Sequence, residues 1–205
     1  MDFRTIVNIP SPDFQIEPLE PILFVGSCFA DKIGCRFEEE RFPVTVNPFG
    51  VMYNPASVLH TIQRCEIAPR IAFLTLGTNH IYRLKETGEI VDNCQKRPQN
   101  LFQEEELSVS QCVDYLSLAA DELRDYRFYQ PDMLHPSDQA VEYIWQQFVE
   151  AYFSPRAKQF LQEWKPIKEA LGHRPFHPES DTYRQFIEKA RQQEQDLLAR
   201  YQSKQ

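Results

Sequence analysis

At 205 residues the chain is long enough for one main domain with an appendage, and for a real hydrophobic core. Hydrophobic residues make up 42% of it and aromatic ones 13%, which excludes a disordered chain. A formal net charge of −8, with no Lys/Arg block and no basic patch interleaved with aromatics, argues against a nucleic-acid partner.

Five cysteines, Cys28, Cys35, Cys65, Cys94 and Cys112, are scattered without a C-x-x-C pair, so they read as reduced thiols and not as a disulfide framework or a zinc site. Met1 to Arg4 lacks the charged-then-apolar pattern of a signal peptide, and no apolar run approaches the length of a membrane span. The expectation is a cytoplasmic protein without a membrane partner.

In chain order, Pro21 to Val25 is a short continuous apolar run ending at Gly26, the pattern of a buried strand in a parallel sheet. Phe29, Ile33 and Phe37 then recur at helical spacing, with Ala30 and Gly34 beside them. Ser27 and Cys28 therefore fall at a strand-to-helix turn. A second strand is expected at Val44 to Val46, stopped by the loop Asn47-Pro48-Phe49-Gly50. Asn54-Pro55 opens a helix burying Val58, Leu59, Ile62 and Cys65. The third strand, Ile71 to Leu76, looks buried on both faces and runs into Gly77-Thr78-Asn79.

Ile81 to Leu84 and Ile90-Val91 flank Thr87-Gly88-Glu89 as a small polar hairpin. A helix capped near Ser108 follows, with Val109, Cys112, Val113, Leu116, Ala120 and Leu123 on one face. After the aromatic stretch Asp125 to Tyr129, Asp132 to Pro136 opens a helix that buries Val141, Ile144, Trp145, Phe148, Val149 and Tyr152. Helical stretches around Phe160 to Leu171 and Tyr183 to Tyr201 close the chain. The expected organisation is an α/β domain over residues 1–155 and a helical extension over 156–205.

A nucleophile between a buried strand and a helix is exposed by the tight turn, and the free N–H groups of the helix N-terminus can meet a developing oxyanion. Ser27 could equally cap the helix, and Cys28 could be a small buried residue. Asp132-x-x-His135 sets a carboxylate three residues from an imidazole, so that the aspartate can fix one ring nitrogen and leave the other as a base. A turn aspartate beside a surface histidine gives the same spacing.

The order of these features, namely Gly26-Ser27-Cys28 after a strand, Gly50 in a loop, Gly77-Thr78-Asn79 after a third strand and a late Asp132-x-x-His135, resembles the SGNH hydrolases. More closely, Gly26-Ser27-Cys28-Phe29-Ala30, Asn47 to Pro55 and Asp121 to Tyr129 are similar to the GSCFA family, a relative of those hydrolases. The resemblance implies an α/β fold with a flavodoxin-like parallel sheet flanked by helices, and hydrolysis or acyl transfer at an ester or thioester. It implies an oxyanion hole from Gly50 and Asn79 and a base, His135, held by Asp132. Without a gap, Cys28 and not Ser27 falls at the nucleophile position. A serine suits ester hydrolysis, and a thiolate suits acyl transfer as well.

The chain departs from that family between Asn79 and Asp132. The interval already holds a hairpin and a helix, and no apolar run remains for two further strands, each βαβ unit taking about 30 residues. A block is missing near Leu118 to Asp121, so the sheet is expected to be shortened. Leu123 to Pro131, if extended at about 3.3 Å per residue, could carry His135 back to the turn. The open edge of the third strand implies either self-association, as a homo-oligomer through that edge, or low stability of the isolated monomer.

The expected substrate is a small-molecule, glycan or lipid ester. The alternative is a non-catalytic, shortened family member that binds a ligand or partner. His173 and His177 have helical metal-pair spacing, but Pro175 and Pro178 break the helix, so a structural loop is expected. His80 could line the pocket or lie on the hairpin surface, and His60 is expected to be partly exposed. With 6 glycines and no Gly-rich phosphate loop, no nucleotide or other cofactor is indicated.

Overall fold

In the computed structural model, which describes residues 12–52, 55–67, 69–75, 81–83, 90–92, 126–132 and 135–202, the first apolar run forms strand β1 (Ile22–Gly26), buried at every residue. Helix α1 (Cys28–Glu39), strand β2 (Val44–Val46), helix α2 (Pro55–Arg64) and strand β3 (Ile71–Thr75) follow. The three strands pair in the order β2-β1-β3, all parallel. β1 takes the centre because it is apolar on both faces. Leu23 and Val25 pack with Val58 of α2, joined by Met52, Ile62, Cys65 and Leu74. On the alternate positions Phe24 meets Phe37 of α1 at 5.1 Å between ring centroids and stacks on Phe73 at 4.9 Å.

Helix α1 is built for that face. Ala30, Ile33, Gly34 and Phe37 are its buried stripe, and Gly34 lets it sit close on β2, since a Cβ there would lie 2.4 Å from Val46 Cγ2. Its end is a Schellman motif with an arginine at the left-handed position. Arg41 has φ 64, its N–H donates to the Glu38 carbonyl (2.9 Å), the Phe42 N–H donates to the Phe37 carbonyl (3.0 Å), and the Phe37 and Phe42 rings meet edge to face at 5.4 Å.

The chain thus crosses from β1 to β2 on one side and returns past β1 to β3 on the other. This puts the carboxyl ends of β1 and β3 at a topological switch point, the place where open parallel sheets carry their sites. The expected hairpin is present as β4 (Ile81–Arg83) paired antiparallel with β5 (Ile90–Asp92).

Helix α3 (Asp138–Tyr152) buries Ala140, Ile144, Trp145, Phe148 and Tyr152. Trp145 and Phe148 reach Phe37 edge to face at 5.0 and 5.6 Å. Arg36 of α1 also reaches this helix, donating to Glu142 at 2.8 Å.

Three expectations are corrected. β3 is not buried on both faces: Ile71 is buried, Ala72 exposed, and Phe73, Leu74 and Thr75 half-buried, because among the described residues β3 pairs with β1 alone. Leu123 to Pro131, which could carry His135 back if extended, is not extended at residues 126–128, which form a 3-10 turn with the Ser137 hydroxyl on the Arg127 carbonyl (2.8 Å) and the Ser137 N–H on the Phe128 carbonyl (2.9 Å). The helix expected to open at Asp132 to Pro136 begins at Asp138, because Ser137 is the better cap: its hydroxyl accepts from the Ala140 N–H at 3.3 Å. The helix expected from Ser108 to Leu123 lies outside the described residues, as do Leu76 to His80, Cys94 and Cys112.

The chain divides into two compact units, one containing Pro21–Ala151 and the other made of Asp13–Glu20 with Tyr152–Gln205. In the second unit Ile16 forms a parallel bridge with Phe153, donating to the Tyr152 carbonyl (2.8 Å) and accepting from the Ser154 N–H (3.1 Å). Ser154 caps helix α4 (Pro155–Leu171) by accepting from the Ala157 N–H at 3.0 Å. Helix α5 (Asp181–Gln202) packs back on α4, burying Phe160, Trp164, Leu197 and Tyr201. No described helix is long and apolar enough to cross a membrane.

Candidate functional site

Gly26 turns the chain at the carboxyl end of β1 with φ 145, a conformation that side chains rarely adopt. A Cβ there would lie 2.0 Å from the Thr75 carbonyl oxygen. The Ser27 N–H donates to that carbonyl at 3.0 Å and also approaches Thr75 Oγ1 at 2.9 Å, so β3 holds one side of the turn. Ser27 is the N-cap of α1. Its hydroxyl accepts from the Phe29 N–H (3.3 Å) and exchanges a hydrogen bond with Thr75 Oγ1 (3.0 Å), while its carbonyl accepts from the Ala30 N–H (2.9 Å).

Cys28 is the first helical residue, half-buried, with a free thiol. Its backbone N–H makes no hydrogen bond among the described residues, as expected of an orphan donor in the first turn. A half-buried thiol next to an open N–H on a helix N-terminus can attack a carbonyl carbon and meet the resulting oxyanion with the same residue.

The other side of the turn is held by a residue that the sequence marks only as loop punctuation. Asn47 follows β2 with φ 39 and is 8% exposed. Its Oδ1 accepts from the Gly26 N–H at 2.7 Å, and its Nδ2 donates to Asp31 of α1 at 2.6 Å. Its backbone N–H donates to the Phe24 carbonyl, and its carbonyl accepts from the Gly50 N–H, both at 2.8 Å. The Met52 N–H completes the wrap by donating to the Gly26 carbonyl at 2.7 Å. An Asn directly after a short strand is the available signal, since asparagine tolerates left-handed backbone and substitutes a side-chain amide for the next ladder residue.

Gly50 has φ 93 and open space around its Cα, but its N–H is engaged by Asn47. It can serve an oxyanion only by sharing or releasing that bond. Asn79 lies outside the described residues.

Asp132 and His135 pair. His135 Nδ1 lies 2.5 Å from Asp132 Oδ2, and the His135 N–H donates to Asp132 Oδ1 at 3.0 Å. The loop is closed beneath them by a Tyr129–Pro136 bridge and by the Gln130 N–H on the His135 carbonyl (2.8 Å). The aspartate thus fixes Nδ1, and Nε2 makes no hydrogen bond among the described residues. No hydrogen bond or ion pair among the described residues joins His135 to Ser27 or Cys28. The structure therefore presents a strand-to-helix turn and a histidine–aspartate pair, each internally organised.

Elsewhere, His173 packs against Tyr183 and Phe186 at 6.4 and 6.0 Å, and His177 lies 3.5 Å from Glu179, both in the loop between α4 and α5. His60 is exposed on α2. Among the described residues no group of three or more His, Cys, Asp or Glu side chains could hold a metal ion.

A doubly wound parallel sheet whose first strand ends at Gly26, with Ser27 capping and Cys28 heading the helix that follows at the switch point, defines a shortened α/β protein. Within that class the chain belongs to the GSCFA family, whose family model matches residues 21–70, 67–120 and 117–148. Residues 164–203 match the model of the GSCFA domain protein C-terminal domain. The matched segments 67–120 and 117–148 meet at residues 117–120. No curated protein and no solved structure matches the chain.

Proposed function

We propose that the protein is an SGNH-like hydrolase or acyltransferase that uses Cys28 as its nucleophile on a small-molecule, glycan or lipid ester or a thioester. The observation that carries this reading is the division of labour at the turn. The Ser27 hydroxyl is taken up by the helix cap and by Thr75, while Cys28 has a half-buried thiol and an N–H that makes no hydrogen bond among the described residues. His135, with Nδ1 held by Asp132, supplies the base.

In the first half-reaction the Cys28 thiol gives its proton to His135 Nε2 and its sulfur bonds to the substrate carbonyl carbon. The oxyanion is met by the Cys28 N–H and the Asn79 side chain. The bond from that carbon to the leaving group's oxygen, or sulfur in a thioester, then breaks, and the alkoxide or thiolate takes the proton from His135. Water or an acceptor alcohol, deprotonated by His135, releases the acyl group and restores the thiol. The free cysteines fit a reducing compartment, and we place the protein in the cytoplasm.

Assay of wild type, Ser27→Ala, Cys28→Ala and His135→Ala on short-chain aryl esters tests the reading. Cys28→Ala and His135→Ala are expected to lose about 10²–10⁴ in rate. Ser27→Ala is expected to lose mainly the cap, about 1 kcal/mol of stability. Loss of turnover in Ser27→Ala with retention in Cys28→Ala would move the nucleophile to Ser27. A wild type inert on every ester and thioester would favour the second reading, a non-catalytic member that binds a ligand at the same turn. We also propose self-association through β3, which pairs on one side only among the described residues. Light scattering on a sizing column should show a dimer or larger, and a monodisperse monomer would refute it.

A further inference from the structure

We infer that Asn47 is a positioning residue for Cys28, acting with Asp31 to fix the strand-to-helix turn in its reactive geometry. The inference rests on the reading of Cys28 as nucleophile. β2 ends at Val46, opposite Phe24. Past that point the β2 side of β1 has no ladder partner, and the Gly26 N–H would be a buried donor without an acceptor, which costs about 1–3 kcal/mol. Asn47 supplies the acceptor from its side chain at 2.7 Å. Because its amide nitrogen simultaneously donates to Asp31 at 2.6 Å, the same planar group is bonded to the residue before the turn and to the helix just after it.

The two bonds lie on either side of Ser27 and Cys28, so the amide sets how α1 leaves β1 and thereby where the Cys28 sulfur and N–H point. Asn47 also accepts from the Gly50 N–H, which ties the loop after β2 to the same hub. A misplacement of about 1 Å at a reacting group can cost on the order of 100-fold in rate.

Exchanging the two side chains distinguishes this role from a contribution to stability alone. Asn47→Asp keeps an acceptor for the Gly26 N–H but sets a carboxylate against Asp31. Combining it with Asp31→Asn restores a donor–acceptor pair of reversed polarity. Hydrolysis of p-nitrophenyl acetate and labelling of Cys28 by iodoacetamide, read peptide by peptide, are measured beside a thermal melt.

Asn47→Asp is expected to lower kcat about tenfold to 100-fold with KM little changed, and the exchanged pair to return within about threefold of wild type. Asp31→Ala, at a half-buried position, carries the test if Asn47→Asp does not fold. It is expected to lower kcat about threefold to tenfold at unchanged KM.

Wild-type kcat in Asp31→Ala and in Asn47→Asp overturns the inference, as does an exchanged pair that melts like wild type but stays slow. Wild-type protein whose hydrolysis survives Cys28→Ala, or whose Cys28 labels no faster than Cys65, overturns the reading of the nucleophile itself.

Discussion

Two glycines and one asparagine decide the shape of the turn, and they do so by different means. Gly34 is needed for closeness and Gly26 for both closeness and backbone angle, while Asn47 is needed for what its amide bonds. Gly26→Ala combines a φ that alanine avoids with a Cβ 2.0 Å from the Thr75 carbonyl. The expected cost is roughly 2–6 kcal/mol, read as a fall in the denaturant midpoint, with a near-wild-type midpoint arguing against the close approach of β1 and β3. The turn itself was legible in the sequence because glycine, a cap residue and a helical apolar stripe follow one another directly. Asn47 was not, because three of its four bonds reach Phe24, Gly26 and Asp31, distant along the chain, and adjacency cannot show which acceptor a buried N–H will find. The engagement of the Gly50 N–H was hidden for a different reason: it closes locally on the Asn47 carbonyl three residues back, and many turns form without that bond.

Among the elements, the strands and helices with unmixed periodicity match their expected places: β1, α1, β2, α2, the hairpin and α3 all appear where apolar spacing puts them. Errors arose where several polar residues competed to start or stop an element. At Asp132 to Ser137 the aspartate bonds His135 and leaves the cap to Ser137, so the helix opens later. The half-exposed β3 is not legible from its sequence, because an apolar run reports composition and not the number of neighbouring strands. Helix α1 ends with an arginine where glycine is favoured. Left-handed backbone costs an ordinary residue about 1–2 kcal/mol, and glycine loses part of that advantage to chain entropy. Arg41→Gly is therefore expected to be about 0.5–1 kcal/mol more stable than Arg41→Ala, a pair in which both variants lose the side chain's own interactions, and equal midpoints in urea titration would argue against left-handed strain at this position.

Taken as a whole molecule, the chain carries two tryptophans, Trp145 in one unit and Trp164 in the other, and both are buried. Trp145→Phe leaves Trp164 to report on the second unit, where Glu163 provides a pH signature. Burial alone would raise its pKa, but hydrogen bonds from Arg200 (2.7 Å), Gln159 (2.9 Å) and Tyr201 (3.2 Å), with the Arg200 charge, hold it below the ordinary value of 4.5. A depressed folded pKa means that the ionised form stabilises the unit fully above the ordinary glutamate range, and that this contribution is lost as pH falls through the folded pKa. The Trp164 midpoint should fall on acidification below about pH 4.5, and Glu163→Gln should flatten that dependence. An unchanged slope in the variant would assign the acid sensitivity to other carboxylates.

The second unit is also discontinuous along the chain, since Ile16 sits in it beside Phe153. On the ribosome, Asp13–Glu20 emerges roughly 130 residues ahead of its partners, a wait of about 7–26 s at ordinary elongation rates. During that time Ile16, fully buried in the finished protein, has no native surface to cover it. The helices after Tyr152 must therefore capture a segment made long before them, and a nascent chain halted anywhere between Glu20 and Tyr152 leaves Ile16 uncovered for chaperones to hold.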